Sequence, residues 1–463
     1  MSSNGLAIAQ EKMRGAGQPE GAIRSFSRAY ELLVGGAETM LASSELEPVD
    51  DVAALEQLPP APGALATVAV IKLNGGLATS MGLRNPKSLL EARDGRSFLD
   101  IIVGQTLAQR RRLAIALPLL MMDSTATRDE TLQALAREPA LTQDLPADFL
   151  QSMVPKLDAG DLAPVSWPKQ PALEWCPPGH GDIYGALASS GILRSLLERG
   201  FRYAMIANAD NLGATPDERI ADYLVREEIP FLMEVVEGTA ADRKGGHIAR
   251  RIADGSLVLR ETAQTPPEDL DSFRDYRRWR YYNTNSLWVD LNVLAETMDR
   301  HHGVLELPLI VNPKTVDPRD PGSPAVIQLE SAMGAAIERF PDAQLLCVPR
   351  TRFVPVKTTD DLLVLRSDVY TLSDELLVEP RPERGERLPF VELDTRFYKL
   401  LDEFEARFPD GPPSLLEADR LVVHGDVTFG PGVVVRGAVE VVVEQLRIER
   451  TVLTSATPPA PVS

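Results

Sequence analysis

The chain has 463 residues, of which 44% are hydrophobic and 25% charged, a composition that can bury a large core. Its 48 basic and 67 acidic residues leave a net charge of -19, which argues against nucleic acid as a partner, because phosphate-backbone binding needs a basic face. Two cysteines make neither a disulfide framework nor a metal cluster, and no apolar run of membrane-spanning length or N-terminal leader is present, so the reading is a cytoplasmic protein with no membrane partner.

In chain order, residues 1–66 read as a helical N-terminal extension, with apolar residues at helical spacing over Ser25–Leu41. The acidic stretch Glu45–Glu56 and the Pro59–Gly63 cluster read as a linker. At Val68–Leu73 a β-branched run meets Asn74-Gly75-Gly76, as a buried strand meets a glycine turn. Leu113–Met121, Phe201–Ala207, Pro230–Val236, Ser286–Val289 and Gln344–Val348 repeat the pattern, separated by helical segments. Strands alternating with helices predict a doubly wound parallel sheet over residues 67–385, with ligands beyond the carboxyl ends of the strands. From Pro389 the sequence changes to valine-rich steps with regular glycines, which predicts a small β-domain or short β-helix over residues 386–463. The Pro-rich tail Thr457–Ser463 reads as disordered.

The chemistry-bearing residues follow the strands. Leu73–Gly82 with Asn85-Pro86-Lys87-Ser88 offers close backbone approach to a ligand and a mobile positive charge for a polyphosphate. It fits neither the Walker A spacing nor GxGxxG, and alone it equally describes a tight turn beside a surface lysine. Pro177-Pro178-Gly179-His180-Gly181-Asp182 is a rigid glycine loop that feeds a helix; its histidine can donate to phosphate or be structural. Asn208-Ala209-Asp210 follows a strand, where one carboxylate can hold Mg2+ together with substrate phosphates, or can simply make an Asx turn. Asp242–His247, Asn283–Asn285 and Lys357 are weaker alone. Together they make a kit for phosphoryl or nucleotidyl transfer, in which positioning and charge neutralisation supply most of the rate.

Six blocks in a fixed order carry a resemblance to the UTP–glucose-1-phosphate uridylyltransferase (UDP-glucose pyrophosphorylase) family, eukaryotic-type branch. They are Leu73–Lys87, Pro177–Asp182, Asn208–Thr215, Tyr282–Trp288, Ile310–Lys314 with Gln328–Ala336, and Arg352–Tyr370. The resemblance implies a Rossmann-like nucleotidyltransferase domain, a C-terminal left-handed β-helix and homo-oligomers built through it. It implies UTP and glucose 1-phosphate as substrates, UDP-glucose and pyrophosphate as products, and Mg2+ as cofactor. By position, Leu73, Asn74, Gly75 and Gly76 would form the nucleotide loop, Lys87 would contact the phosphates, and Gln151 with Gly179 would read uracil. His180, Asn208, Gly246, Glu261 and Asn285 would line the sugar-phosphate pocket, Asp210 would bind the metal, and Lys357 would neutralise the phosphates. Ala78 departs from the family pattern where a third glycine is usual, and Asp123 where an asparagine is. The same chemistry on another sugar 1-phosphate, a non-catalytic UDP-sugar-binding regulator and a scaffold acting through the β-domain are the alternatives.

Overall fold

The computed structural model describes residues 2–78, 81–83, 85–141, 145–385 and 387–455; the tail 457–463 and the loop positions 79 and 80 lie outside them. Seven strands carry the central sheet: β1 (Val68–Asn74), β2 (Leu119–Asp123), β3 (Asp148–Leu150), β4 (Tyr203–Asn208), β5 (Phe231–Glu237), β6 (Tyr281–Asp290) and β7 (Gln344–Cys347). Their spatial order is β7-β5-β6-β4-β1-β2-β3. β1, β2, β4 and β5 are buried along nearly their whole length, as expected of strands covered on both faces.

The predicted all-parallel sheet is corrected to a mixed one. β6 runs antiparallel to both of its neighbours, β4 and β5. It is also longer than the apolar run Ser286–Val289, because the polar segment Asn283–Asn285 stays in the strand, with Thr284 and Asn285 bulging between the pairs Val235–Asn283 and Glu234–Ser286. Asn285 sits there at φ 55°, a left-handed conformation that Asn tolerates better than most residues. Leu113–Met121 also divides: Leu113 closes the helix Phe98–Leu113, and β2 begins only at Leu119. Asp290 ends β6 and caps the next helix, its carboxylate accepting from the N–H groups of Asn292 and Val293.

The N-terminal region is helical over Ser2–Gly15 and Glu20–Val34 and packs on Val154, Leu157, Cys176, Leu309 and Leu329. The linker reading of the segment after it is corrected. Leu46–Pro48 pairs with His247–Arg251, and Ala53–Ala54 extends the main sheet beyond β7. Burial of Leu46, Val49 and Leu55 holds this acidic segment down.

The C-terminal region is a parallel coil of β8 (Phe390–Leu393), β9 (Ser414–Phe429), β10 (Val434–Ile448) and β11 (Val452–Leu453). Gly425 turns the corner at φ 114°, where a side chain would collide with the Val443 carbonyl. One apolar cluster runs without a break from Val68 and Val70 through Leu362 and Tyr370 to Val441 and Leu453. No helix is long and apolar enough to cross a membrane among the described residues.

Candidate active site

Strand register brings four sequence-distant segments to one edge of the sheet. Asn208 pairs with Leu73, Asn74 with Asp123, and Asp123 with Leu150. The glycine loop, the Asp210 loop and Gln151 therefore leave the sheet side by side, beyond the carboxyl ends of parallel strands. They enclose a cleft of about 270 Å³, whose wall includes Leu73 to Gly76, Lys87, Gln151, Gly179, His180, Asn208 and Asp210.

Within the cleft the Lys87 ammonium donates to Asp210 Oδ2 at 2.7 Å. The other oxygen, Oδ1, is buried with no hydrogen-bond partner. A carboxylate with one oxygen held by a lysine and one open is suited to a divalent cation, and Mg2+ completes its shell with phosphates and water. Among the described residues no cluster of three or more metal-ligating side chains exists.

Gln151 stands over Gly75: a Cβ there would lie 2.6 Å from the amide oxygen of Gln151. Close packing under the Gln151 amide, not a positive φ, is what favours glycine at position 75. Ala78 avoids the positive-φ region as well, and its methyl is buried at 1% exposure, so the missing third glycine causes no strain. Gly179 does need to be glycine, at φ 81° with the Ser331 backbone 2.4 Å from a hypothetical Cβ. That contact seats the Pro177–Asp182 loop. His180 Nδ1 accepts from the Met333 N–H at 2.8 Å, and burial pulls its pKa down to about 4. The neutral ring therefore carries its proton on Nε2 and can serve as a donor.

Gly246, Glu261, Asn285 and Lys357 do not line this cleft. They form a neighbouring group joined to it through Met333 and Gly334. Gly334 packs on Asn283, whose side-chain amide donates to Asn285 Oδ1 at 2.8 Å and whose N–H donates to the Gly246 carbonyl. Gly246 in turn leaves room for the Glu261 carboxylate, 2.6 Å from where a Cβ would stand. Burial pushes Glu261 up to about 6, with the charge of Lys357 pulling it back. Lys357 is exposed, and its backbone is fixed by Asp361, which accepts from its N–H at 2.7 Å. His247, the last residue of its turn, belongs instead to an aromatic core. It stacks on Trp279 at 4.7 Å, and burial keeps it neutral, with a pKa of about 3.

Sequence reasoning gave no role to Ser88 or Lys72 and named Asp123 only as a departure from the family pattern. Ser88 lines the cleft with a buried hydroxyl that has no partner, and a serine beside a lysine gives no pattern to find it by. Lys72, at 2% exposure in β1, donates to the Ala214 carbonyl at 2.6 Å, and burial pulls it down to about 7. Asp123 accepts from the Asn74 amide at 2.6 Å and from Thr127 at 3.0 Å, while its Oδ2 is buried and unpartnered. Burial pushes it up to about 6.

A sheet of this kind, with a glycine loop, a lysine–aspartate pair and a second polar group at its strand tips, defines the class of nucleotidyltransferases. The family description for UTP–glucose-1-phosphate uridylyltransferase matches residues 24–436, and the chain belongs to that family. The enzyme of that name from Solanum tuberosum is 41% identical over 379 residues, 81% of this chain and 77% of its own. A single-substitution variant of the Leishmania major UDP-glucose pyrophosphorylase, solved in complex with UDP-glucose, is 42% identical with a TM-score of 0.90, covering 97% of this chain and 98% of its own. A UDP-glucose phosphorylase from Trypanosoma brucei is 40% identical with a TM-score of 0.91, covering 97% and 99%.

Proposed function

We propose that this enzyme makes UDP-glucose and pyrophosphate from UTP and glucose 1-phosphate by a single in-line displacement. The observation that carries the reading is the Lys87–Asp210 pair with its free Oδ1, set between the glycine loop and the neighbouring polar group. The nucleotide would lie along Leu73–Gly76, with Gln151 and Gly179 against the base and Lys87 at the phosphates. The sugar phosphate would lie between His180, Asn208, Asn285, Gly246 and Glu261. An oxygen of glucose 1-phosphate forms the new bond to the α-phosphorus of UTP as the bond to the bridging oxygen breaks, and pyrophosphate carries the electron pair away. The attacking phosphate is already an anion, so the chain supplies no general base. Its cationic groups reduce repulsion between two polyanions: Lys87 from the cleft floor and Lys357 from the rim. Asp210 Oδ1 would hold Mg2+, which when bound neutralises charge on the triphosphate.

Residues 1–66, 67–385 and 386–463 are the units of this reading: extension, catalytic domain and a left-handed β-helix. The parallel coil of β8–β11 supports the last. Two unpaired cysteines support a reducing cytosolic setting. Copies associating through the C-terminal coil, where Val442 and Val452 stay exposed, complete the reading, and sedimentation tests it.

The decisive experiment is Mg2+-dependent pyrophosphate release from UTP plus glucose 1-phosphate, with other nucleotides and sugar phosphates as controls. Release only with that pair is the expected outcome. Release with another sugar 1-phosphate overturns the substrate and keeps the chemistry. UDP-glucose binding without release makes the protein a regulator.

A further inference from the structure

We propose that Asn211 is a positioning residue for this reaction, locking the loop that carries Asp210 to the loop that carries Lys357. The inference rests on the uridylyltransferase reading above and assigns a role to a residue that lies outside the cleft wall. Asn211 is 1% exposed, and its side chain is used on both ends. Its Nδ2 donates to the Arg352 carbonyl at 3.2 Å. Its Oδ1 accepts from the Val354 N–H at 2.9 Å and from the Gly213 N–H at 3.2 Å.

Further contacts close the same seam. The Val356 N–H donates to the Asp210 carbonyl at 3.2 Å, one residue before Lys357. Gly213 lets the loops touch, since a Cβ there would lie 2.3 Å from the Thr351 carbonyl oxygen. The Arg352 guanidinium reaches the Thr215 carbonyl at 2.8 Å and holds Glu234 by two bonds of 2.7 Å. Trp288 Nε1 donates to the same Glu234 at 2.8 Å, and Lys72 fastens Ala214 from below. A buried, two-ended polar network of this kind has one low-energy arrangement, because every alternative leaves donors or acceptors unpaired.

The seam matters for chemistry because of what it joins. One loop carries the carboxylate of the cation site, the other the exposed ammonium at the rim. The Lys357 side chain is exposed, so the track of its backbone decides where its charge falls. Asn211 bonds through its own side chain to backbone on both loops. A shift of about 1 Å in such a charge is enough to lower turnover by orders of magnitude while the substrates still bind.

The test compares Asn211→Ala, Lys357→Ala and the double variant by kcat, KM for UTP and melting temperature. Loss of the lock should lower kcat about tenfold or more in Asn211→Ala, with KM for UTP changed less than about twofold. In the Lys357→Ala background the same substitution should cost less than about threefold, because the charge it places is already gone. A purely structural residue would lower the melting temperature with kcat unchanged, or multiply its penalty with that of Lys357→Ala, and either result overturns the proposal. If Asn211→Ala does not fold, Asn211→Ser carries the same comparison, since its hydroxyl can still accept from the Gly213 N–H while the bonds to the Arg352 and Val354 backbone are lost. Failure of the wild type to release pyrophosphate, or full turnover by Lys357→Ala, overturns the reading of the site and this inference with it. Normal behaviour of both, with Asn211 and Lys357 acting independently, overturns the lock alone.

Discussion

Asp123 and Glu261 are two carboxyl groups that the fold makes hard to ionise, for different ends. Asp123 has a folded pKa of about 6, above its ordinary 3.8. A carboxyl raised in this way binds more protons folded than unfolded between these values, so its contribution to stability declines as pH rises from about 4 to about 6 and stays low above. Asp123→Asn keeps an acceptor for Asn74 and removes the charge. It should stabilise the chain by about 1 kcal/mol at pH 8 and by much less at pH 4, measured by denaturant midpoints. An equal change at both pH values would mean that folding does not raise the pKa of this carboxyl. Glu261 is raised to about 6 in the same sense, but it faces the proposed sugar pocket. There the ionised form is the better acceptor for hydroxyls. The KM for glucose 1-phosphate should therefore rise as pH falls through about 6, more steeply than the sugar phosphate's own ionisation in the same range accounts for, and Glu261→Gln should have a higher KM that keeps only the substrate's share of that dependence.

At the scale of elements, the site is made by strand order and loop contact. β1, β2 and β4 deliver three segments to one edge, and Gly75 lets Gln151 close over the first of them. Gly75→Ala places its methyl against the far end of a flexible side chain, so the fold should tolerate it and Gln151 should swing aside. Expected is a KM for UTP raised about fivefold or more with the melting temperature within a few degrees, as read by kinetics and calorimetry. An unchanged KM would remove Gln151 from base recognition. β6 works by a different device: its bulge at Thr284 and Asn285 breaks the strand's alternation, so that the Asn283 side-chain amide meets Asn285 and Gly334 while its backbone N–H donates to the Gly246 carbonyl.

At the scale of the molecule, the C-terminal coil and the catalytic sheet share one apolar core. Leu393, Tyr398, Phe404 and Phe408 belong to the same cluster as Leu362 and Tyr370. Polar contacts reinforce the joint: Thr359 donates to the Tyr398 carbonyl at 2.8 Å, and the Leu393 N–H donates to Asp360 at 3.0 Å. Circular dichroism and tryptophan fluorescence should therefore report a single unfolding transition for the whole chain. A chain ending at residue 385 should lose that transition. A well-folded 1–385 fragment would mean that the coil is an independent appendage.

Much of this fold is legible in the amino-acid sequence. The runs at Val68, Phe201, Pro230 and Gln344 mark buried strands, because continuous β-branched and apolar sequence has few other places to go. The glycine loops and Asp210 are legible because chemistry at strand tips needs small residues and a lone carboxylate. β6 is only half legible: its polar Asn283–Asn285 bulge interrupts the apolar pattern, and antiparallel pairing leaves no mark on a single strand. The segment at Leu46–Leu55 is hidden by its acidic residues, since three buried apolar side chains hold it down. The sequence by itself determined the class of fold, the family and the residue types of the candidate site, because these rest on local pattern and spacing. Only the tertiary structure decided that Lys87 meets Asp210, that Gln151 covers Gly75 and that Asn211 joins two loops. Such contacts span from about 80 to more than 140 residues of chain, and they arise from sheet register and core packing that no local pattern encodes.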